Sequence, residues 1–133
     1  MKVPAGNVCG VGIDLVEIDR VRQGHAKHGE AFLQKIFTAD ELTLCRTQAD
    51  PYPSLAARFA AKEALSKAFG TGLGAEFSLQ SLSVLRGDQG EPLPVLDAQA
   101  QSLLAKSGAT RVLISLTHTE HLAQAIVLLV RGE

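Results

Sequence analysis

Ser54-Leu55-Ala56-Ala57-Arg58-Phe59-Ala60-Ala61-Lys62-Glu63-Ala64-Leu65-Ser66-Lys67-Ala68-Phe69-Gly70 reads as one helix, and the rest of the fold is organised around it. Ser54 suits an N-cap, where its hydroxyl accepts from a first-turn N–H, and Gly70 suits the left-handed residue that ends a helix. Between them Ala and Leu, both strong helix formers, dominate without Gly or Pro. At about 100° per residue, Leu55, Phe59, Leu65 and Phe69 gather on one flank. Ala60, Ala61, Ala64 and Ala68 form a second flank, small enough for another backbone to approach closely. This helix is therefore expected to be central and largely buried.

Upstream, the apolar run Val8-Cys9-Gly10-Val11-Gly12-Ile13 reads as a strand ending at Asp14, with Gly10 and Gly12 marking close packing against its backbone. A helix follows, carrying Ile18, Val21 and the basic pair Arg20 and Arg22. Thr38-Ala39-Asp40-Glu41 has the form of a capping box and opens a short helix with Leu42 and Cys45 on one side. Gln48 to Pro53 is a loop by its prolines. Downstream, Phe77 to Leu85 is strand-like and Gly87-Asp88-Gln89-Gly90 is a turn. Glu91 to Leu96 holds Pro92 and Pro94, which restrict it to an edge strand. Asp97 caps a helix ending near Lys106, and Gly108 terminates it. Arg111 to Leu116 and Ala123 to Val130 read as paired strands joined through Thr117-His118-Thr119-Glu120-His121. The sum is an α+β fold, a small antiparallel sheet packed on helices, with residues 1–133 forming one domain.

Composition narrows the function. The 133 residues include 13 Lys or Arg and 14 Asp or Glu, a balance that disfavours a general nucleic-acid binder. With 46% hydrophobic residues the chain is no disordered tail, yet its longest apolar run, Ala125 to Val130, is too short to span a bilayer. The N-terminus lacks the apolar core of a secretory signal. Two cysteines, Cys9 and Cys45, are too few for a disulfide framework or a zinc site, so a reducing, cytoplasmic setting is expected. Familiar nucleotide sites fail as well. Gly10-Val11-Gly12 begins a dinucleotide fingerprint, but Leu15 holds the third glycine position. Gly70-Thr71-Gly72-Leu73-Gly74 follows a helix rather than opening one, so no positive dipole end is there for an anion.

What remains is a set of charges on a helix that otherwise looks buried. Glu63 and Lys67 stand at i,i+4, as do Arg58 and Lys62, and the second pair falls among apolar residues. Two readings are open. One is a solvated face with ordinary ion pairs, worth a few tenths of a kcal/mol. The other is a carboxylate and several cations converging on a phosphate-bearing ligand, with Glu63 holding Mg²⁺. Asp14, straight after a strand, is either an N-cap for the next helix or a second metal ligand; Mg²⁺ needs only one or two protein carboxylates. His118 is either a polar turn residue or a ligand contact. Arg20 and Arg22 form either a solvated face or a docking patch for an acidic partner.

Taken together, Gly12-Ile13-Asp14-Leu15-Val16-Glu17-Ile18, Arg58 through Gly72, and Ser115-Leu116-Thr117-His118-Thr119 stand in the order and at the separations of a known family. The chain resembles the bacterial holo-[acyl-carrier-protein] synthases, the short 4′-phosphopantetheinyl transferases, over nearly its whole length. The resemblance implies an enzyme that moves the phosphopantetheine arm of coenzyme A onto a serine of apo acyl carrier protein in fatty acid biosynthesis, releasing adenosine 3′,5′-bisphosphate. It implies Asp14 and Glu63 as Mg²⁺ ligands, and Glu63 and Lys67 as catalytic residues. Arg58, Lys62, Lys67, Gly70, Thr71, Gly72, His118 and Thr119 become contacts for coenzyme A, and Arg20 and Arg22 the docking patch for the carrier protein. It further implies a homotrimer with active sites between subunits, the Val- and Leu-rich last strand gaining a burial role. Many relatives carry Lys or Arg before the central helix, where it can meet the 3′-phosphate of coenzyme A. Here that loop reads Asp50-Pro51-Tyr52-Pro53, with Arg46 the nearest base upstream.

Overall fold

The structure is a computed structural model that describes residues 6–70 and 77–132. Its elements run β1 (Val8–Glu17), α1 (Ile18–His28), α2 (Glu30–Ile36), α3 (Ala39–Cys45), α4 (Tyr52–Phe69), a 3₁₀ turn (Leu79–Ser81), β2 (Leu82–Arg86), β3 (Pro92–Leu96), α5 (Ala98–Lys106), β4 (Arg111–His118) and β5 (Leu122–Val130). Three strands form an antiparallel sheet in the order β1-β5-β4, and β2 and β3 form a separate antiparallel hairpin. The expected class, α+β with a small antiparallel sheet on helices, is the one the chain adopts.

Helix α4 is the buried centre, with Leu55, Ala60, Ala61, Ala64 and Leu65 all shielded from solvent. It begins two residues before the expected Ser54. Pro51 stands at the cap and Pro53 in the first turn, where a missing N–H costs nothing, and Ser54 lies inside the helix, donating to Gln48 Oε1 at 3.0 Å. The end is as expected: Gly70 has φ 77°, and its N–H returns to the carbonyls of Ser66 and Lys67.

Strand β1 lies on the alanine flank of α4. A Cβ on Gly12 would stand 1.8 Å from the Ala64 carbonyl oxygen, and one on Gly10 2.7 Å from that of Ala68. Backbone meets backbone here, which requires glycine on the strand and alanine on the helix. The strand does not end at Asp14 as the sequence suggested. It continues to Glu17, with Asp14, Leu15, Val16 and Glu17 paired to Ala125, Gln124, Ala123 and Leu122 of β5. Period-two alternation persists through Val16, so Gly10, Gly12, Asp14 and Val16 face the helices while Val11, Ile13 and Leu15 face outward. Asp14 is therefore mid-strand and caps nothing; Glu17 stands at the cap of α1.

Elsewhere local chemistry and structure agree with three exceptions. Thr38 and Glu41 form the expected capping box, and Asp97 caps α5 by accepting from Ala100 N at 2.9 Å. Phe77 to Leu85 is not one strand. Ser78 and Ser81 exchange side-chain bonds with each other's backbone around the 3₁₀ turn, an alternative to the strand ladder that leaves only residues 82–86 extended. Strand β4 reaches His118 and β5 starts at Leu122, so the link between them is shorter than expected and His118 pairs with Ala123. Helix α2 has no counterpart in the sequence reading. Among the described residues no helix is long and apolar enough to cross a membrane.

The sheet has two unlike faces. One packs on α4 through Ala123, Ala125, Val127 and Leu129. The other presents Val11, Ile13, Leu15, Leu113 and Ile126, each at least 39% exposed.

Candidate active site

The contact between β1 and α4 brings together residues far apart in the chain. Lys67 Nζ donates to Asp14 Oδ1 at 2.9 Å and to the Ile13 carbonyl at 3.1 Å, across 53 residues of sequence. Glu63, one turn before Lys67, is half-buried in the same place. Burial and then the charge of Asp14 push its carboxyl above the ordinary 4.5, while Arg20 and Lys67 pull it back. Asp14, Glu63, Lys67 and Arg20 therefore share one electrostatic neighbourhood. Two carboxylates in one neighbourhood suit a divalent cation, whose charge would offset their repulsion. The two carboxylates would suit Mg²⁺, which needs only one or two from the protein, its other ligands coming from water and phosphate. Gly70 closes the same helix one turn beyond; Thr71 and Gly72 lie outside the described residues.

A second site lies on the other side of α4. Arg58 and His118 line one cavity of about 310 Å³, with Gln48, Ser54, Arg86, Gly90, Pro92 and Thr117 among its other walls. Arg58 is 5% exposed. Its Nε donates to the Val84 carbonyl at 2.8 Å and its Nη1 to that of Ser54 at 3.2 Å. Both partners are neutral, and among the described residues neither Arg58 nor Arg86 has a carboxylate within ion-pair distance. A buried guanidinium whose charge is left uncompensated at a cavity wall, with a second beside it, is built to receive an anion. Arg86 escaped the sequence reading. Its only signal is its place before the Gly87–Gly90 turn, which aims the end of β2 at α4.

Lys62 requires a correction. The sequence placed it with the ligand contacts, but its side chain is wholly buried and paired with Glu41 Oε1 at 2.7 Å, itself wholly buried. Its other hydrogens go to the carbonyls of Leu79, at 2.8 Å, and Leu82. All its donors are spent inside the protein. Burial pulls the ammonium below its usual range while the Glu41 charge and hydrogen bond push back. Glu41 was legible only as a capping residue; the oxygen that accepts from Thr38 N also meets Lys62, and the other accepts from Val84 N.

The remaining expected residues divide. Thr119 is committed to the β4–β5 turn: its N–H donates to Leu122 O at 2.7 Å and its hydroxyl accepts from His121 N and Leu122 N. Arg20 sits 5.0 Å over the Phe59 ring and faces Glu63, exposed at the site's edge. Arg22 is occupied: it meets Asp50 Oδ2 at 3.1 Å and lies 4.7 Å over the Tyr52 ring. Arg46, the base nearest the pre-helix loop, is paired with Glu30.

The model of the 4′-phosphopantetheinyl transferase superfamily matches residues 10–125. A holo-[acyl-carrier-protein] synthase of Chlamydia muridarum is 43% identical over 119 residues, covering 90% of this chain and 92% of that protein. The crystal structure of holo-[acyl-carrier-protein] synthase from Neisseria meningitidis superposes with a TM-score of 0.84 at 32% identity, covering 92% of this chain and 98% of that one. The Helicobacter pylori holo-[acyl-carrier-protein] synthase, solved in complex with coenzyme A, gives 0.79 at 28% identity, over 90% of this chain and 98% of that one. Family model, curated relative and superposed structure agree, and the chain belongs to the 4′-phosphopantetheinyl transferase superfamily.

Proposed function

We propose that this chain, as one domain over residues 1–133, transfers 4′-phosphopantetheine from coenzyme A to a serine of apo acyl carrier protein, in the cytoplasm and in support of fatty acid biosynthesis. The observation that carries the proposal is the convergence of Asp14, Glu63 and Lys67 where β1 crosses α4. In the reaction the serine oxygen bonds to the β-phosphorus of coenzyme A and the bond to the bridging oxygen breaks, releasing adenosine 3′,5′-bisphosphate. Such transfers depend mostly on positioning and electrostatics. Glu63, with its raised pKa, is the base for the serine proton, directly or through a water, because a carboxylate that holds a proton more tightly accepts one more readily. Lys67 offers its ammonium to the departing α-phosphate oxygen. Asp14 and Glu63 would hold Mg²⁺, which when bound supplies charge neutralisation at the pyrophosphate.

The anion-receiving cavity at Arg58, Arg86 and His118 is the place for the phosphorylated nucleoside end of coenzyme A. It shares no wall residue with the pocket formed by Ile13, Asp14, Leu15, Lys67 and Gln124. One ligand touching both kinds of wall is the arrangement of a site split between neighbours. The apolar outer face of the sheet, Val11, Ile13, Leu15, Leu113 and Ile126, supplies a surface for such neighbours, since exposed apolar patches mark interfaces. We therefore read the working form as a homotrimer with sites between subunits. Arg20, beside Glu63, is placed to meet acidic residues of the carrier near its reacting serine; Arg22 must first leave Asp50.

The test is direct. Incubation with apo acyl carrier protein, coenzyme A and Mg²⁺, followed by intact-protein mass measurement, should show the carrier gaining one phosphopantetheine. No mass gain, where a control synthase modifies the same carrier, removes the proposal.

A further inference from the structure

The β2–β3 hairpin joins no other strand among the described residues, yet the free edge of β2 is not left to solvent. The Leu82 carbonyl accepts from Lys62 Nζ, the Val84 N–H donates to Glu41 Oε2 at 2.9 Å, and the Val84 carbonyl accepts from Arg58 Nε at 2.8 Å. Val84 and Pro94 are a non-hydrogen-bonded pair of the hairpin, so the Val84 N–H and carbonyl both point to the free edge. One carboxylate from α3 and two cations from α4 thus do for this strand edge what a neighbouring strand does elsewhere.

The arrangement is chemically closed. Glu41 accepts from Thr38 N at 3.0 Å, from Val84 N and from Lys62; Lys62 spends its donors on Glu41, Leu79 O and Leu82 O. A buried ion pair of this kind is a poor source of stability, because apolar residues of similar volume often serve as well or better. What it fixes is geometry. The hairpin that it grips carries Leu85, Arg86, Gly90 and Pro92 to one wall of the cavity, and Arg58, bonded to the carbonyl of the same Val84, also lines it.

We propose that Glu41 and Lys62 are positioning residues for the ligand cavity, clamping the edge of β2 so that Arg86 and Arg58 stand at the separation an anionic ligand needs. The proposal rests on the reading of that cavity as the nucleotide end of the coenzyme A site. It assigns the pair no contact with ligand and no share in the chemical step, which separates it from Glu63, the next residue along the helix.

The test uses the full chain carrying Glu41→Gln together with Lys62→Met, which removes both charges while keeping side-chain length. Steady-state kinetics with coenzyme A and apo carrier protein would be read beside thermal unfolding and amide hydrogen exchange across residues 82–96. The expected result is a folded enzyme with kcat within about twofold of the parent and an unchanged KM for the carrier. Its KM for coenzyme A should rise about tenfold, and exchange in the hairpin should accelerate. A folded variant with the parent's KM for coenzyme A overturns the proposal, and so does a loss confined to kcat. If the double variant does not fold, Glu41→Asp takes its place, since it keeps the charge and withdraws the carboxylate by one methylene. The same rise in KM alone is expected there, and an unchanged KM overturns the proposal. Absence of coenzyme A turnover by the unsubstituted chain is a different outcome, which overturns the functional reading itself and this proposal with it.

Discussion

Lys62 and Glu63 are neighbours on one helix and live in different worlds. Lys62 is sealed in the interior, its charge matched by Glu41 and its remaining donors by carbonyls. Glu63 is half-buried, its carboxyl raised by burial and then by the charge of Asp14. A step of about 100° around the axis separates the two environments. The difference teaches that a charge within a buried helix is not by itself a sign of chemistry. What distinguishes the two is saturation: a structural charge has partners for all its groups, whereas a working charge faces another of the same sign or an open cavity.

The comparison breaks first at the level of substitution. Asp14→Ala and Glu63→Ala should each lower turnover by about 10²-fold or more while leaving the unfolding midpoint unchanged or raised. Lys62→Ala should do the reverse. It strands the Glu41 carboxylate in the interior at a cost of about 3–5 kcal/mol, read as a large fall in the unfolding midpoint. If both kinds of variant lose stability and activity in proportion, the two flanks of α4 are not separate.

A smaller effect is expected at the contact that creates the site. Gly12→Ala places a methyl against the Ala64 carbonyl, where neither partner is a flexible side chain. The strand must lift from the helix, costing about 1–3 kcal/mol in denaturant titrations and carrying Asp14 away from Glu63, so activity should fall with stability. Wild-type activity in this variant would mean that the β1–α4 spacing does not set the site.

The smallest expected effect concerns protonation. A carboxyl whose folded pKa is raised favours the fold below its unfolded value and loses that contribution as pH rises through the folded one. Removing the like charge with Asp14→Asn should move the Glu63 titration, followed by carboxyl NMR, down towards the ordinary 4.5, with burial still holding it above. No movement would separate the two acids electrostatically.

Much of this molecule can be read from its residues because its signals are local. The Thr38–Glu41 box, the Asp97 cap, the Gly70 and Gly108 stops and the proline-limited β3 are all settled within a few residues. So is the match of Gly10 and Gly12 to an alanine flank, since small residues on both sides are the condition for contact. The errors arise where a distant partner decides. Asp14 lies mid-strand because β5 continues to pair with it, and nothing near Asp14 announces that. Lys62 looks like a ligand residue until Glu41, from another helix, is placed against it. Arg86 enters the cavity only through the docking of a hairpin. The resemblance to a family supplied Asp14, Glu63 and Lys67 together, which spacing alone left open.

The central claim is that Asp14 and Glu63 act as one unit, and a double-mutant cycle on turnover tests it most directly. Rates would be measured for Asp14→Asn, Glu63→Gln and the two combined, with apo carrier protein and coenzyme A saturating. The account predicts that the combined variant is about as slow as the slower single one, since removing either acid already disables the pair. Losses that multiply, as they do for residues working independently, would contradict it.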